Sequence, residues 1–300
     1  MIAIRRVETD ADLETWVDVR NAVLPNEPTT VEQTRRANGE PGRLLVLAEL
    51  DGEIAGAGIA ARSSFGGRAF LAPRVLPQRR GRGVGRALVR ALADHARSCG
   101  FEEVNAFVAG DDARSVAFAR SYGLADVDLQ LEQVRRVGAD ERAPEPPAGI
   151  ELVALGDRRD ELLRVVWPVA AAGYAEMPLP QPIEVPVEEW LRDEATLPNG
   201  SCAAFAAQGA RGAEPVGYAG LLERRGGEVA EHGLTVVRRD FRRRGVAVAL
   251  KRAVIQWASQ NGVRELVTWT QRGNDGMQAL NRKLGYVDRE RVLTFQGPLP

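Results

Sequence analysis

Two stretches of this chain say the same thing twice. Around Gly81 it reads Gln78-Arg79-Arg80-Gly81-Arg82-Gly83, then runs on as an apolar-periodic stretch to Gly100. Around Gly245 it reads Arg242-Arg243-Arg244-Gly245-Val246-Ala247, and a similar stretch follows to Gly262. Those two glycines stand 164 positions apart. Each stretch is followed by a short strand-like run, a second helical run and a glycine beside an aromatic. These endings are Ser121-Tyr122-Gly123 and Leu284-Gly285-Tyr286, with the glycines 162 apart. Two features returning at nearly one spacing mean a duplicated domain, and 300 residues is the length of two ordinary domains. Residues 138–149, GADERAPEPPAG, are rich in proline and charge and carry no periodicity, as an exposed linker should. The IELVAL that follows matches the opening IAIRRV as a first strand. The copies are therefore expected at 1–137 and 150–300.

Within copy one, Trp16, Val19 and Val23 recur at helical spacing after a first strand at 2–7. RLLVLAEL, Asp51-Gly52 and IAGAGIAAR predict a hairpin around a tight turn. RAFLAPRVL is a further strand, and Val84, Leu88, Leu92 and Cys99 form the apolar stripe of a helix. VNAFVA is the next strand, a helix runs from Asp112 to Gly123, and DVDLQLEQV alternates as a last strand. Copy two repeats this order with CAAFAAQ and PVGYAGLLERR as hairpin and EVAEHGLTVV as the strand before the glycine loop. Strands and helices in this alternation predict an α/β class, with a sheet carrying helices on both faces.

Composition removes several functions. A net charge of −1 argues against a protein built to grip nucleic acid or anionic membrane. Cys99 and Cys202 lie far apart, in no disulfide or metal-ligand spacing, so no metal is expected. No apolar run reaches the length of a membrane span, and the first residues lack the apolar core of a signal peptide. The expectation is a cytoplasmic protein, monomer or homodimer.

A strand that ends in a basic, glycine-containing turn and feeds a helix is a phosphate site in physical terms. The first helical turn offers free N–H groups and the positive end of the helix dipole. Glycine lets the backbone approach the ligand, and arginine adds charge-assisted contacts. Leu76, Gln78, Arg79, Arg80, Gly81, Arg82, Gly83 and Gly85 would supply this in copy one. Val237, Arg242, Arg243, Arg244, Gly245, Val246 and Ala247 would do so in copy two. Neither loop fits a dinucleotide fingerprint, because Arg86 stands where its last glycine belongs and copy two keeps one glycine. A P-loop needs Gly-Lys-Ser/Thr, which neither copy has.

Gln/Arg-x-x-Gly-x-Gly/Ala between strand and helix resembles the pyrophosphate motif of the GNAT acetyltransferases, at Gln78–Gly83 and Arg242–Ala247. Asn274-Asp-Gly-Met277-Gln-Ala-Leu-Asn281-Arg-Lys-Leu-Gly285-Tyr286 resembles that family's second signature. The resemblance spans essentially the whole chain and implies two tandem GNAT folds, each a mixed, partly splayed sheet. It implies transfer of an acetyl group from acetyl-CoA to a small-molecule or peptide amine in a ternary complex. The thioester would lie along the strand before the loop, with Asn274 contributing to the cofactor side.

An amine must lose a proton before it attacks, so a carboxylate or histidine near the thioester is wanted. Copy two offers Glu231 and His232 on the strand entering its loop, and Glu231 is placed like the proposed base of a tandem family member. Alternation puts these two on opposite faces, and Glu231 is preferred. Asn281 stands where many family members carry a general-acid tyrosine. It is expected inside, bonded either to the CoA pantetheine chain or, internally, from the helix to the backbone. The corresponding strand of copy one has neither carboxylate nor histidine, and Ala119 replaces Asn281. Copy one is read as able to hold CoA and doubtful as a catalyst, and His95 as a packing residue. The segment 177–190 carries Glu184, Glu188 and Glu189, which could attract a cationic amine, or is a plain surface loop. Two other readings stay open: a non-catalytic acyl-CoA sensor, and nucleic-acid binding through Arg238, Arg239 and Arg242–Arg244.

Overall fold

The computed structural model describes residues 1–26, 28–63, 67–141, 143, 145–178, 185–209, 212–224 and 227–300. They form two compact units: residues 1–127 with 293–300, and residues 128–292.

Unit 1 opens with β1 (Ile2–Arg6), α1 (Asp10–Val23) and α2 (Val31–Ala37). Thr9 and Thr30 start these helices as capping boxes, each closed by the side chain at N3. β2 (Leu44–Leu50) and β3 (Glu53–Arg62) form the expected hairpin. Asp51 and Gly52 both take positive φ at its turn (56° and 85°), which suits the twist of the two strands. β4 (Ala69–Val75), α3 (Val84–Ser98), β5 (Glu103–Ala109) and α4 (Ala113–Arg120) complete the first run, and β6 (Ala125–Arg136) leaves it. The strand order is β1-β2-β3-β4-β5, with residues 293–298 beside β5. Leu13, Trp16 and Val17 of α1 pack on Leu45, Leu47 and Ile59. His95 Nε2 meets the Gly42 carbonyl at 3.1 Å, a local structural contact.

Unit 2 repeats the scheme with β7 (Ile150–Ala154), α5 (Arg159–Ala175), α6 (Val187–Asp193), β8 (Cys202–Gly209) and β9 (Gly212–Arg224). β10 (Val229–Val237), α7 (Val246–Gln260), β11 (Glu265–Gln271), α8 (Asp275–Lys283) and β12 (Val287–Pro298) follow. Its order is β7-β8-β9-β10-β11-β6-β12. One core lies under α7, around Leu250, Val254 and Leu266; the other lies under α5 and α6, around Leu163, Trp190 and Tyr218.

Spatial units and sequence copies are thus different residue sets. The strand that ends copy one, at 128–136, belongs to unit 2, and residues 293–300 that end copy two belong to unit 1. Periodicity shows that a segment is a strand without naming its neighbour, which is why the reading at 1–137 and 150–300 could not contain this exchange. Among the described residues no helix is long and apolar enough to cross a membrane.

Candidate functional site

Both glycine loops are built alike, and their backbone fixes the alignment. α3 and α7 begin after glycines in the left-handed region, Gly83 at φ 88° and Gly245 at φ 89°, with no side-chain cap. Two residues earlier, Gly81 (81°) and Arg243 (62°) are also left-handed. Before these, Arg80 Nε donates to the Val75 carbonyl (3.2 Å), and Arg242 Nε to that of Val237 (2.9 Å). Gly83 therefore matches Gly245, Gly85 matches Ala247 and Arg80 matches Arg242, all at the spacing of 162 that also relates Gly123 to Gly285. This corrects the sequence alignment of Gln78 with Arg242 and of Gly81 with Gly245. The string holds two overlapping copies of the pattern, and the left-handed glycine must sit directly before the helix. Gln78 and Arg79 lie instead in a 3-10 turn at 77–79, and Val75 rather than Leu76 matches Val237. In unit 1 the Arg114 guanidinium lies against Gly81, 2.8 Å from where a Cβ would stand.

The parallel strands beside each loop part early. β4 and β5 are paired only at Ala69–Val104 and Phe70–Asn105, β10 and β11 only over Val229–Glu231 and Glu265–Val267. A difference follows along the other edge. β3 and β4 stay in one register from Gly56–Val75 to Arg62–Ala69. β10 carries one extra residue against β9, between His232 and Thr235. Unit 2 has a bulge where its strands separate, and unit 1 has none. A bulge turns backbone groups out of the ladder.

A cavity of about 790 Å³ opens beside this bulge. Leu234, Thr235, Val236 and Val237 form one wall; Arg242, Arg243 and Gly245 to Val248 form the basic end. Gly273, Asn274, Met277, Leu280 and Lys283 close it from α8, and Gly173, Glu176 and Met177 from the end of α5. Of the expected copy-two residues, Val237, Arg242, Arg243, Gly245, Val246, Ala247 and Asn274 line it. The Glu176 carboxylate is bonded to Arg242 and lies 3.2 Å from Arg239; the Arg242 bond holds it below the usual carboxylate range.

The three residues expected to do chemistry lie elsewhere. Glu231 is paired with Arg224 and is not on the cavity wall. His232 is buried with Nε2 2.5 Å from the Tyr286 hydroxyl. Burial, and then the charge of Lys251, hold it well below the usual histidine range. Lys251 is 0 % exposed, its Nζ 5.3 Å from the Tyr286 ring centre, and burial pushes it down to about 7. Asn281 is inside as expected, but its Nδ2 donates to the Gln133 side chain (2.9 Å), neither to a helix carbonyl nor toward the cavity. Strand alternation explains His232: residues 230 and 232 face α7, and that face is closed.

Unit 1 has hydrocarbon at the matching positions: Leu71 for His232, Val89 for Lys251, Ala119 for Asn281 and Leu124 for Tyr286, all buried. Of the acidic segment, Glu184 lies outside the described residues and Glu188 is tied to Arg164 (2.9 Å). The arginine cluster is partly neutralised, because Arg238 bonds Asp240 (2.8 Å) and Glu214 (3.2 Å).

Sequence reading missed Glu194, which follows α6. It is 6 % exposed and takes a hydrogen bond from the Tyr218 hydroxyl (3.1 Å). Burial lifts it to about 7 against the hydrogen bonds it accepts, which include the Leu234 and Ala195 amides. The available signal was the glycine pair Gly220 and Gly233, which a single sequence does not flag.

The model of the acetyltransferase (GNAT) family matches residues 10–124 and again 169–286. The chain belongs to the GNAT family. It carries the domain of this acetyltransferase family twice. A mycothiol acetyltransferase of Nocardia farcinica is 37 % identical over 139 residues, covering 45 % of this chain and 44 % of that protein. The chain thus spans less than half of that relative in the match. The crystal structure of a GCN5-related N-acetyltransferase from Sphaerobacter thermophilus superposes with a TM-score of 0.81 at 20 % identity, over 99 % of this chain and 96 % of that one. A tandem GNAT protein from the clavulanic acid biosynthesis pathway gives 0.71 at 21 %, over 100 % and 98 %. These two likenesses establish the fold.

Proposed function

We propose that the chain transfers the acetyl group of acetyl-CoA to a small-molecule or peptide amine, by direct attack on the thioester in a ternary complex, and that unit 2 performs the reaction. The observation that carries this reading is the bulge of β10 at the point where β10 and β11 part, beside a cavity that ends on the glycine loop. Pyrophosphate would be held by the free amides at the start of α7 and by Arg242 and Arg243. The thioester would lie along Leu234–Val237, where amides turned out of the ladder can stabilise the charge that develops on its carbonyl oxygen. The site of action is read as the cytoplasm.

Unit 1 keeps the loop, lacks the bulge, and is read as holding CoA without turnover. That one observation also favours a second reading for unit 1, an acyl-CoA sensor. Calorimetric titration of acetyl-CoA, followed by thiol release with an amine panel, tests both. Gly245→Val should abolish the unit 2 binding event and all turnover, leaving the binding by unit 1. If acetyl-CoA shows no heat of binding at on the order of millimolar concentration, enzyme and sensor readings both fall.

A further inference from the structure

The Glu194 carboxylate lies directly over the β10 bulge. Beneath it the two strand positions are glycine, Gly220 on β9 and Gly233 on β10, and a Cβ at either would collide with its Oε1. The β3–β4 register places Ile59 where β9 has Gly220, and Ile59 belongs to the apolar core under α1. One fold therefore fills this space with hydrocarbon in the copy without a bulge and with a carboxylate in the copy that has one. Packing the sheet does not require the acid.

The surroundings fit a group that handles protons. Glu194 forms no salt bridge among the described residues; Arg159, whose charge it feels, donates instead to the Glu194 main-chain carbonyl (2.6 Å). The other titratable groups turned toward it are Tyr218 of β9 and Tyr174 of α5. Glu194, like Glu231, is not itself a lining residue of the cavity, but its acceptor bond from the Leu234 amide sets the carboxylate directly behind the first residue of the wall. A buried carboxyl lifted toward neutrality is matched to taking a proton from an ammonium group.

We infer that Glu194 is the group that takes the proton from the attacking amine in unit 2. This rests on the transfer reading above. The ammonium gives one proton to Glu194, and the nitrogen lone pair then bonds to the thioester carbon. The C–S bond breaks with its electron pair on sulfur, and the second proton shed by nitrogen neutralises the thiolate. Amide, CoA thiol and protonated Glu194 result, and the carboxyl returns its proton to water.

The test follows CoA thiol release by the full chain with glucosamine, tyramine and spermidine, which are protonated at pH 7, and with hydroxylamine, which is not. Glu194→Gln should lower kcat for the three protonated amines by on the order of a hundredfold and leave acetyl-CoA affinity within about twofold. It should remove the acidic limb of the pH profile and spare hydroxylamine by comparison. Glu194→Asp, the variant to use should Glu194→Gln fail to fold, keeps a carboxylate one methylene back and should retain that limb at reduced kcat. Equal losses with all four acceptors, or an unchanged kcat, would overturn the assignment. So would Glu231→Gln reproducing the selective loss while Glu194→Gln does not. If the unaltered protein transfers to no acceptor, the transfer reading itself has failed. If it transfers and Glu194→Gln is silent, only Glu194 has.

Discussion

His232 Nε2 lies 2.5 Å from the Tyr286 hydroxyl, on a face where unit 1 packs Leu71 and Leu124. Lys251 completes this group with its Nζ buried and without a hydrogen-bond partner among the described residues. A buried polar set that the sister copy replaces with aliphatic side chains costs stability.

Lys251→Met should therefore stabilise the protein. The folded chain gives up the Lys251 proton at about 7, whereas the unfolded chain keeps it to about 10.5. The unfolded state thus binds more protons between these values, so stability rises with pH across that window. The substitution should remove this slope and raise stability at pH 7 by roughly 3–5 kcal/mol, read from urea unfolding at several pH values. A flat pH dependence in the unaltered protein would show that Lys251 is not held neutral.

Arg243 carries a different cost. It sits at φ 62°, where unit 1 has Gly81. Arg243→Gly should relieve about 1–2 kcal/mol of left-handed strain while removing a cation from the basic end of the cavity. A higher midpoint of unfolding and a several-fold weaker acetyl-CoA affinity are expected together. Gain in stability without loss of affinity would remove Arg243 from the phosphate site.

On the proposed reading, Glu176 would compete with the cofactor's phosphate for Arg242, to which it is bonded. Glu176→Gln should tighten acetyl-CoA binding several-fold, most at low salt, because surface ion pairs are screened. Weaker binding instead would mean that Glu176 orients Arg242 for the ligand, which calorimetry at two salt concentrations would separate.

Gly233→Ala should be severe. The added Cβ collides with the Glu194 carboxylate, so the carboxylate must leave its place over the bulge or the bulge must shift. A loss of about 2 kcal/mol or more, with transfer reduced far more than acetyl-CoA affinity, is the expected pattern in paired unfolding and titration experiments.

Much of this is legible in the sequence. Asp51-Gly52 announced a hairpin, and the basic glycine runs announced two helix starts. What escaped has physical reasons. The loop of unit 1 spells its motif twice, two residues apart, and only backbone conformation selects Arg80–Gly85. The bulge amounts to a single extra residue, a change of spacing from 162 to 161 that appears only when strand registers are compared. Glu194 follows α6 as Asn38 follows α2, and its meaning comes from the two glycines beneath it. Asn281 was placed inside by helical spacing, yet its partner Gln133 arrives from β6, a strand of the other copy.

That exchange of end strands also sets an order of events during synthesis. Unit 1 lacks the strand beside β5 until residues 293–298 have been made, although its first 127 residues leave the ribosome early. Unit 2, by contrast, receives β6 before any of its own strands exist. A gene cut at the linker would yield two fragments, each ending in a strand that the other unit holds.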